Sequence, residues 1–413
     1  MDVIVERCAG LDVHKRTVTA CIREPGKGAR RRKELQTFAT FSDSLRELAG
    51  WLADHGVTDV AMEATGVFWK PVFWILEDAG FTVLLVNATH VKKVPGRKTD
   101  VKDAEWLAQL LECGLLRGSF VPPKPIRELR DLTRYRRRII EERARETLRV
   151  HKVLEDAGIK LAAVASDALG VSGRMMIEAL IAGVRDPEVL AEMAKMRLRH
   201  KLPELRRALD GRFDEHHGAM CAALLGRIDH LDGVIDHLNG KVDAAMTPFA
   251  DQRDRLATIP GVAKRAAEVI IAEIGVDMSC FPTSAHLASW AGMCPGNRES
   301  AGKHFSGRTR QADPWLRGML AECGWAARRT KNTYLAAQFW RIAGRRGREK
   351  ACLAVGHSIL VIAWHILSTP GETYRELGGD YFDRHRDPQV EQRRLIRRLE
   401  KLGLQITVTA PVA

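Results

Sequence analysis

The double proline Pro122-Pro123 divides this chain into two parts with different folding patterns. Each proline lacks a backbone donor and pushes the residue before it out of the helical region, so no element runs through the pair. Ahead of it, short apolar runs alternate with helical patterns. Behind it, residues 125–245 read almost entirely as Arg-rich helix.

In the first part, "VIVERCAGLDVHK" reads as a strand running into a turn, "RTVTACIRE" as its antiparallel partner and "RKELQTFAT" as a third strand. "SDSLRELAGWLADHG" has helical periodicity behind a Ser or Asp cap. "VTDVAMEA" is a buried strand, "GVFWKPVFWILEDAG" a helix and "FTVLLVNA" another apolar strand. Hairpin strands followed by alternating helices and strands predict a mixed sheet with helices on its faces. The fold class is thus α/β plus all-α, with domains expected at 1–122, 123–250 (a helical arm), 251–380 and 381–413 (a basic tail).

In the arm, "DHLDGVIDHLNG" repeats Asp-His-Leu at seven residues, as in a helix packed along one seam. A loop is expected around "SDALGVSGR". "IPGV" before a helix resembles the turn of a helix-hairpin-helix element, where backbone N–H groups hold a phosphate, and equally suits a plain Pro-Gly turn. The tail reads as helix plus a short strand, "LQITVTA".

No apolar run is read as membrane-spanning and no signal-peptide pattern opens the chain, so a cytoplasmic, nucleoid-associated bacterial protein is expected. Eight cysteines without a CxxC pair argue against a zinc ribbon or a disulfide scaffold. The formal charge of +13 points to a polyanionic partner. The basic stretches 134–149 and 341–350 carry much of that charge, although acids interleave the first and charge runs often mark solvated faces. Arg134, Arg136, Arg137, Arg138, Lys264, Arg345 and Arg346 are candidate phosphate contacts, with Lys98 and Lys102 beside the acids discussed next. Tyr135 and Trp106 are candidate stacking residues, with core packing the competing role for Trp106. "DEHH" at 214–217 reads as structural, because adjacent histidines on a helix point apart.

In "GRKTDVKDAEWLAQLL", Asp100 and Asp103 open an apolar helix. First-turn acids are ordinary helix caps, yet residues three apart share a face and can point at one cation. Asp12 ends the first apolar strand in "GLDVHK", and Glu63 ends a buried strand in "AMEATG". Ligands of α/β sheets gather beyond the carboxyl ends of strands. Four acids converging there repel one another unless Mg²⁺ or Mn²⁺ neutralises them. Two such ions about 4 Å apart activate water and stabilise the leaving oxygen of a phosphodiester. His14 flanks Asp12, either touching substrate or packing.

The order "GLDVHK", "MEATGVFW", "KTDVKDAEWLA" closely resembles the DEDD insertion-sequence transposases. "IPGV", "LASWAGMCPGNRESAGK" and "DPWLRGML" resemble their C-terminal transposase domain. The resemblance implies an RNase H-like, RuvC-like domain in which Asp12, Glu63, Asp100 and Asp103 bind the metal. It also implies a catalytic serine, for which "ESAGK" offers Ser300. Glu299 and Ala301 depart from the family's Ser-Ser-Gly-Gly-Lys pattern, and Ser306 in "FSGR" is the fallback. Lys303, Arg298 and Arg308 are candidates to stabilise the transition state and touch nucleic acid. By resemblance, the protein is expected to cut and rejoin DNA through a phosphoserine, guided by a structured noncoding bridge RNA. A homodimer assembling into a tetramer through the arm is expected as well. The rival reading is a RuvC-like junction endonuclease that hydrolyses with the acids alone.

Overall fold

The computed structural model describes residues 3–26, 30–64, 66–87, 103–294, 299–300, 302–304, 312–385 and 388–407. The chain forms two compact units, Met1–Val121 and Pro122–Ala413.

The first unit runs β1 (Cys8–Val13), β2 (Thr17–Pro25), β3 (Arg31–Ala39), α1 (Ser42–Asp54), β4 (Asp59–Glu63), α2 (Trp69–Asp78), β5 (Thr82–Val86) and α3 (Asp103–Glu112). Its five strands form one mixed sheet, ordered β3-β2-β1-β4-β5. The hairpins β1–β2 and β2–β3 are antiparallel, while β4 lies parallel to both β1 and β5. Strand alternation sends Ala9, Leu11, Val13, Val60 and Met62 into a core with Leu45, Leu48 and Leu52 of α1 and Val72, Phe73 and Leu76 of α2. The opposite face belongs to α3: Cys8 and Ala61 pack on Leu111, and Cys21 on Ala104 and Ala108. The sequence placed a Ser or Asp cap before α1. Instead, exposed Phe41 occupies the N-cap, and Asp43 within the first turn accepts from the backbone of Ser44 at 2.8 Å.

The second unit begins with α4 (Lys124–Asp156), followed by α5 (Leu161–Val164), α6 (Val171–Ile181), α7 (Pro187–Glu192), α8 (Leu202–Leu209) and α9 (Glu215–Met246). The long helices α4 and α9 run antiparallel: Arg143 pairs with Asp232, Arg136 with Asn239, and His217 with Asp156. Leu231 and Leu238, seven residues apart in the Asp-His-Leu repeat, are buried along this seam with Ile139 and Ile235. The short helices cover the far end of the pair, burying Met176, Ile177, Leu180, Leu190 and Leu205. The loop expected around "SDALGVSGR" is present at 166–170, but Val171–Arg174 already form the first turn of α6, because this apolar face has a core to enter. His217 and Asp214 of "DEHH" form the capping box of α9.

Next come α10 (Ala250–Leu256), α11 (Lys264–Ile274), α12 (Ser284–Trp290), the two-residue strands β6 (Glu299–Ser300) and β7 (Lys303–His304), α13 (Pro314–Ala327), α14 (Tyr334–Arg346), α15 (Arg348–Ser368), α16 (Tyr381–Arg384) and α17 (Pro388–Glu400). By length and composition α15 could cross a membrane, contrary to the reading that no run is long and apolar enough. It serves as a core helix instead: Val355, Ile359, Leu360, Ala363 and Ile366 are buried among neighbouring helices. Residues 404–407 form no strand, which corrects the reading of "LQITVTA" up to that point; 408–413 lie outside the described residues.

A buried ion network ties α4 to α11 and α13. Glu273, fully buried on α11, accepts two bonds from Arg134 at 2.8 and 2.7 Å, while Arg130 lies 3.3 Å away. Arg134 also reaches Asp313, the N-cap of α13, at 2.6 Å. Burial pushes the Glu273 carboxyl up. Burial also opposes the Arg134 charge, but the bonds and attraction of Glu273 outweigh it and raise that pKa. The two parallel N–H···O bonds fix the geometry of the pair. Beside it, Arg136 is 4% exposed and bonds Glu268 at 2.8 Å. Glu273→Ala removes the carboxylate and leaves guanidinium charge uncompensated. Urea denaturation is expected to show a loss of about 3 kcal/mol.

Candidate catalytic site

The parallel register of β1 and β4 pairs Gly10 with Ala61 and Leu11 with Met62. One step further lie Asp12 and Glu63, at the carboxyl ends of neighbouring strands. Alternation from Cys8 and Gly10 puts Asp12 on the α3 face, and alternation from Ala61 puts Glu63 there too.

The position of α3 depends on Gly10. A Cβ on this residue would fall on the Ala104 carbonyl and the Ala108 amide, and only 2.9 Å from Leu107 Cβ. The helix backbone thus lies directly on the strand, as only glycine permits. Cys8 Sγ donates to the Ala108 carbonyl at 3.4 Å. Moving along β1 from Cys8 to Gly10 therefore moves along α3 from Ala108 back to Ala104. The helix runs antiparallel to β1, and its first residue, Asp103, is carried towards the strand end that holds Asp12. Glu105, also in the first turn, is taken by Lys33 at 2.9 Å.

At its other end α3 is anchored by Glu112, which sequence reasoning missed. This carboxylate is 3% exposed and binds Arg23 at 2.8 Å as well as Arg31, while its carbonyl accepts from the Ile4 amide at 2.8 Å. The available signal was an acid ending an otherwise apolar helical run, opposite an arginine on β2.

His14 lies directly beside Asp12: its Nε2 is 3.0 Å from Asp12 Oδ2. Asp100, Lys98 and Lys102 lie outside the described residues. Among the described residues no group of three or more His, Cys, Asp or Glu is arranged to hold a metal ion. Asp12 and Glu63 lie at neighbouring strand ends on the sheet face that α3 covers, and Asp103 opens α3; each is partly exposed, and carboxylates are the oxygen donors that suit a hard divalent cation.

In the second unit, Ser300 pairs with Lys303 across a hairpin whose turn includes Gly302 at φ +73°, a conformation glycine adopts without strain. Lys303 is exposed, whereas Arg298, Ser306 and Arg308 lie outside the described residues. The "IPGV" turn joins α10 to α11, with Gly261 pressed against the Cys323 carbonyl and Ala327 of α13. Lys264 pairs with Asp243 at 2.6 Å.

Two candidate phosphate contacts need correction. Arg134 and Arg136 are committed to the internal ion network, because they sit on the face of α4 that meets α11 and α9. Arg137 bonds Glu141 and Glu322, and Arg138 lies 5.3 Å over the Trp315 ring. Arg345 and Arg346 are exposed. Trp106 packs with Val86, Leu107 and Leu110, while Tyr135 is 51% exposed.

Residues 9–159 match the family model for the DEDD transposase of IS110 type, described as a transposase. Residues 253–341 match a second model, the transposase IS116/IS110/IS902 family. The first range includes Asp12, Glu63, Asp100 and Asp103, and the second includes Ser300 and Lys303. The chain is also 47% identical over 45 residues to the "Insertion element IS110 uncharacterized 43.6 kDa protein" of Streptomyces coelicolor. That alignment spans 11% of either chain, about a tenth of the relative's length.

The sheet face under α3 is dry. Burial, helped by Glu112, pushes the Cys8 thiol up to about 12, and burial likewise pushes Cys21 to about 11. A raised thiol pKa means less thiolate below it, so both should resist iodoacetamide at pH 8 while exposed Cys280 reacts. Peptide mapping with and without urea checks this. Gly10→Ala should lift α3 off β1, cost about 2 kcal/mol in urea denaturation and expose both thiols to alkylation.

Proposed function

Because the chain belongs to the IS110-type transposases, we propose that it cuts and rejoins the DNA of an insertion sequence using two sets of residues, an acidic one and a serine. The observation that supports the first is the placement of Asp12 and Glu63 at neighbouring strand ends on the sheet face over which α3 packs. With Asp100 they form the proposed tetrad, within an N-terminal unit read as RuvC-like and RNase H-like. A bound Mg²⁺ or Mn²⁺ would supply charge neutralisation at the scissile phosphate.

The protein's own residues do the rest. Asp12 is oriented by His14, whose Nε2 reaches one carboxylate oxygen and leaves the other for a cation. Asp103 is held in place by the seating of α3 on Gly10 and its anchor at Glu112. Ser300 Oγ attacks phosphorus, a serine–phosphate ester forms and the bond to the 3′ oxygen breaks, freeing a 3′ hydroxyl. The ester preserves the phosphodiester energy until another 3′ hydroxyl displaces the serine. Lys303, across the hairpin from Ser300, together with Arg298 and Arg308, is assigned to stabilise the pentacoordinate phosphorus.

Sequence selection is assigned to a structured noncoding RNA pairing with donor and target DNA, which leaves the protein to grip backbones. Exchange between two duplexes requires more than one protomer, so a dimer assembling into a tetramer through α4 and α9 is proposed. The alternative, a hydrolytic junction endonuclease, uses the acids and dispenses with Ser300.

The test incubates the protein with element DNA, its flanking transcript and Mg²⁺, and resolves products on a denaturing gel. A protein–DNA adduct is expected for wild type and absent for Ser300→Ala. Asp12→Asn and Asp103→Asn should each lower cutting at least about a hundredfold. Cut DNA without an adduct, unchanged by Ser300→Ala, replaces this reading with the endonuclease. An adduct that survives the mutation moves the nucleophile to Ser306.

A further inference from the structure

Helix α14 ends at Arg346, turns at Gly347 (φ +86°) and re-enters as α15 at Arg348. The apex of this helical hairpin, residues 344–350, is exposed throughout. It carries Arg345, Arg346, Arg348 and Lys350 against a single acid, Glu349, and Arg341 is exposed one turn earlier. Among the described residues no acidic partner is found for Arg345, Arg346 or Lys350, in contrast to the paired arginines of α4. Like charges crowded at one apex repel, and a polyanion relieves that repulsion.

Trp340 stands in the middle of these cations. It is 50% exposed, an unusual position for the largest apolar side chain. Phe339, one residue before it, is fully buried and holds the ring edge-on at 5.3 Å, so the indole has a fixed base. The Arg348 guanidinium lies 6.0 Å from the ring centroid, at the outer limit of a cation–π contact. Gly344, one turn along from Trp340, has open space where a Cβ would stand, so no side chain there crowds the ring. On another side of the helix Arg341 lies 4.4 Å over Phe382, which stacks on Tyr334, so rings and guanidiniums alternate around α14.

We propose that Trp340 is a stacking platform for an unpaired nucleobase, with Arg345, Arg346 and Arg348 gripping the phosphates on either side. Every base offers a π-face, so such a platform is tolerant of sequence, and each stacked base contributes about 1–3 kcal/mol. Helix-dipole complementarity accounts for arginines in the last turn of α14. It does not account for a half-exposed tryptophan among them. The inference rests on the nucleic-acid reading given above, but on neither the acids nor Ser300.

The test is equilibrium binding by the full chain to fluorescein-labelled oligonucleotides: single-stranded DNA, single-stranded RNA and duplex DNA, each across a salt series. Trp340→Ala should weaken single-strand binding about tenfold, the equivalent of about 1.4 kcal/mol, with an unchanged salt slope and little effect on the duplex. Trp340→Phe should restore most of the loss. Arg345→Ala with Arg346→Ala should lower the single-strand salt slope by about 1.4. Preference for the RNA or the DNA strand identifies which partner supplies the base.

Unchanged single-strand affinity in Trp340→Ala, or equal loss on the duplex, overturns the proposal. Should that variant fail to fold, photocrosslinking of wild type to a 4-thiouridine oligonucleotide decides. An adduct on the peptide containing Trp340 supports the platform, and adducts only elsewhere overturn it. These readouts need no strand transfer, so binding with normal stacking but no recombination would count against the catalytic reading alone.

Discussion

The seating of α3 on Gly10 governs the geometry of the first unit. Without a side chain at that position, the helix backbone lies on β1 and its direction is set by contacts at Cys8 and Gly10. Everything proposed for the acids follows from this one close approach. It aims the first residue of α3 at the strand end where Asp12 and Glu63 sit side by side. Asp12 and Glu63 need not attract one another, since the parallel register of β1 and β4 sets them at neighbouring strand ends. Burial of apolar surface on both faces of the sheet holds them there against repulsion.

The second unit uses charge differently. A chain of charge +13 is expected to display its arginines, yet several of those on α4 point inwards to Glu273, Glu268 and Asp313. Each of these acids caps or interrupts an apolar helix face, and each carboxylate meets a guanidinium. Breaking such a pair costs far more than the pair itself contributes, so the network fixes which helices meet. Among the described residues, cations without an acidic partner include Arg345, Arg346 and Lys350 at the apex between α14 and α15, where solvent or a polyanion can compensate them.

The regular elements of the first unit were largely legible in the sequence, because period-2 and period-3.6 patterns reflect one-sided burial. β1 through β5 and both helices between them occupy the stretches where those patterns lie. Asp12, Glu63 and Asp103 were legible as acids at element ends, and the family motifs gave their order. His14 beside Asp12 was suggested by adjacency. Glu112 was not, since its arginines come from strands roughly 80 to 90 residues earlier in the chain. The phosphate-contact reading failed at Arg134 and Arg136 because a charge run carries no information about which helix face meets a partner. Likewise α15 looks like a membrane span by composition, and only its neighbours make it a core helix.

By itself the sequence determined the strand and helix pattern, the break at Pro122-Pro123, the positive charge and the places of Asp12, Glu63 and Asp103 at the ends of their elements. All of these are encoded locally, in residue type and short-range periodicity. Tertiary structure alone decided that α3 runs antiparallel to β1, that Glu112 anchors it, which arginines are buried and which are free, and that Trp340 remains exposed among the latter. Those outcomes depend on contacts between residues far apart in the chain, where close packing selects one arrangement from many that the local pattern allows.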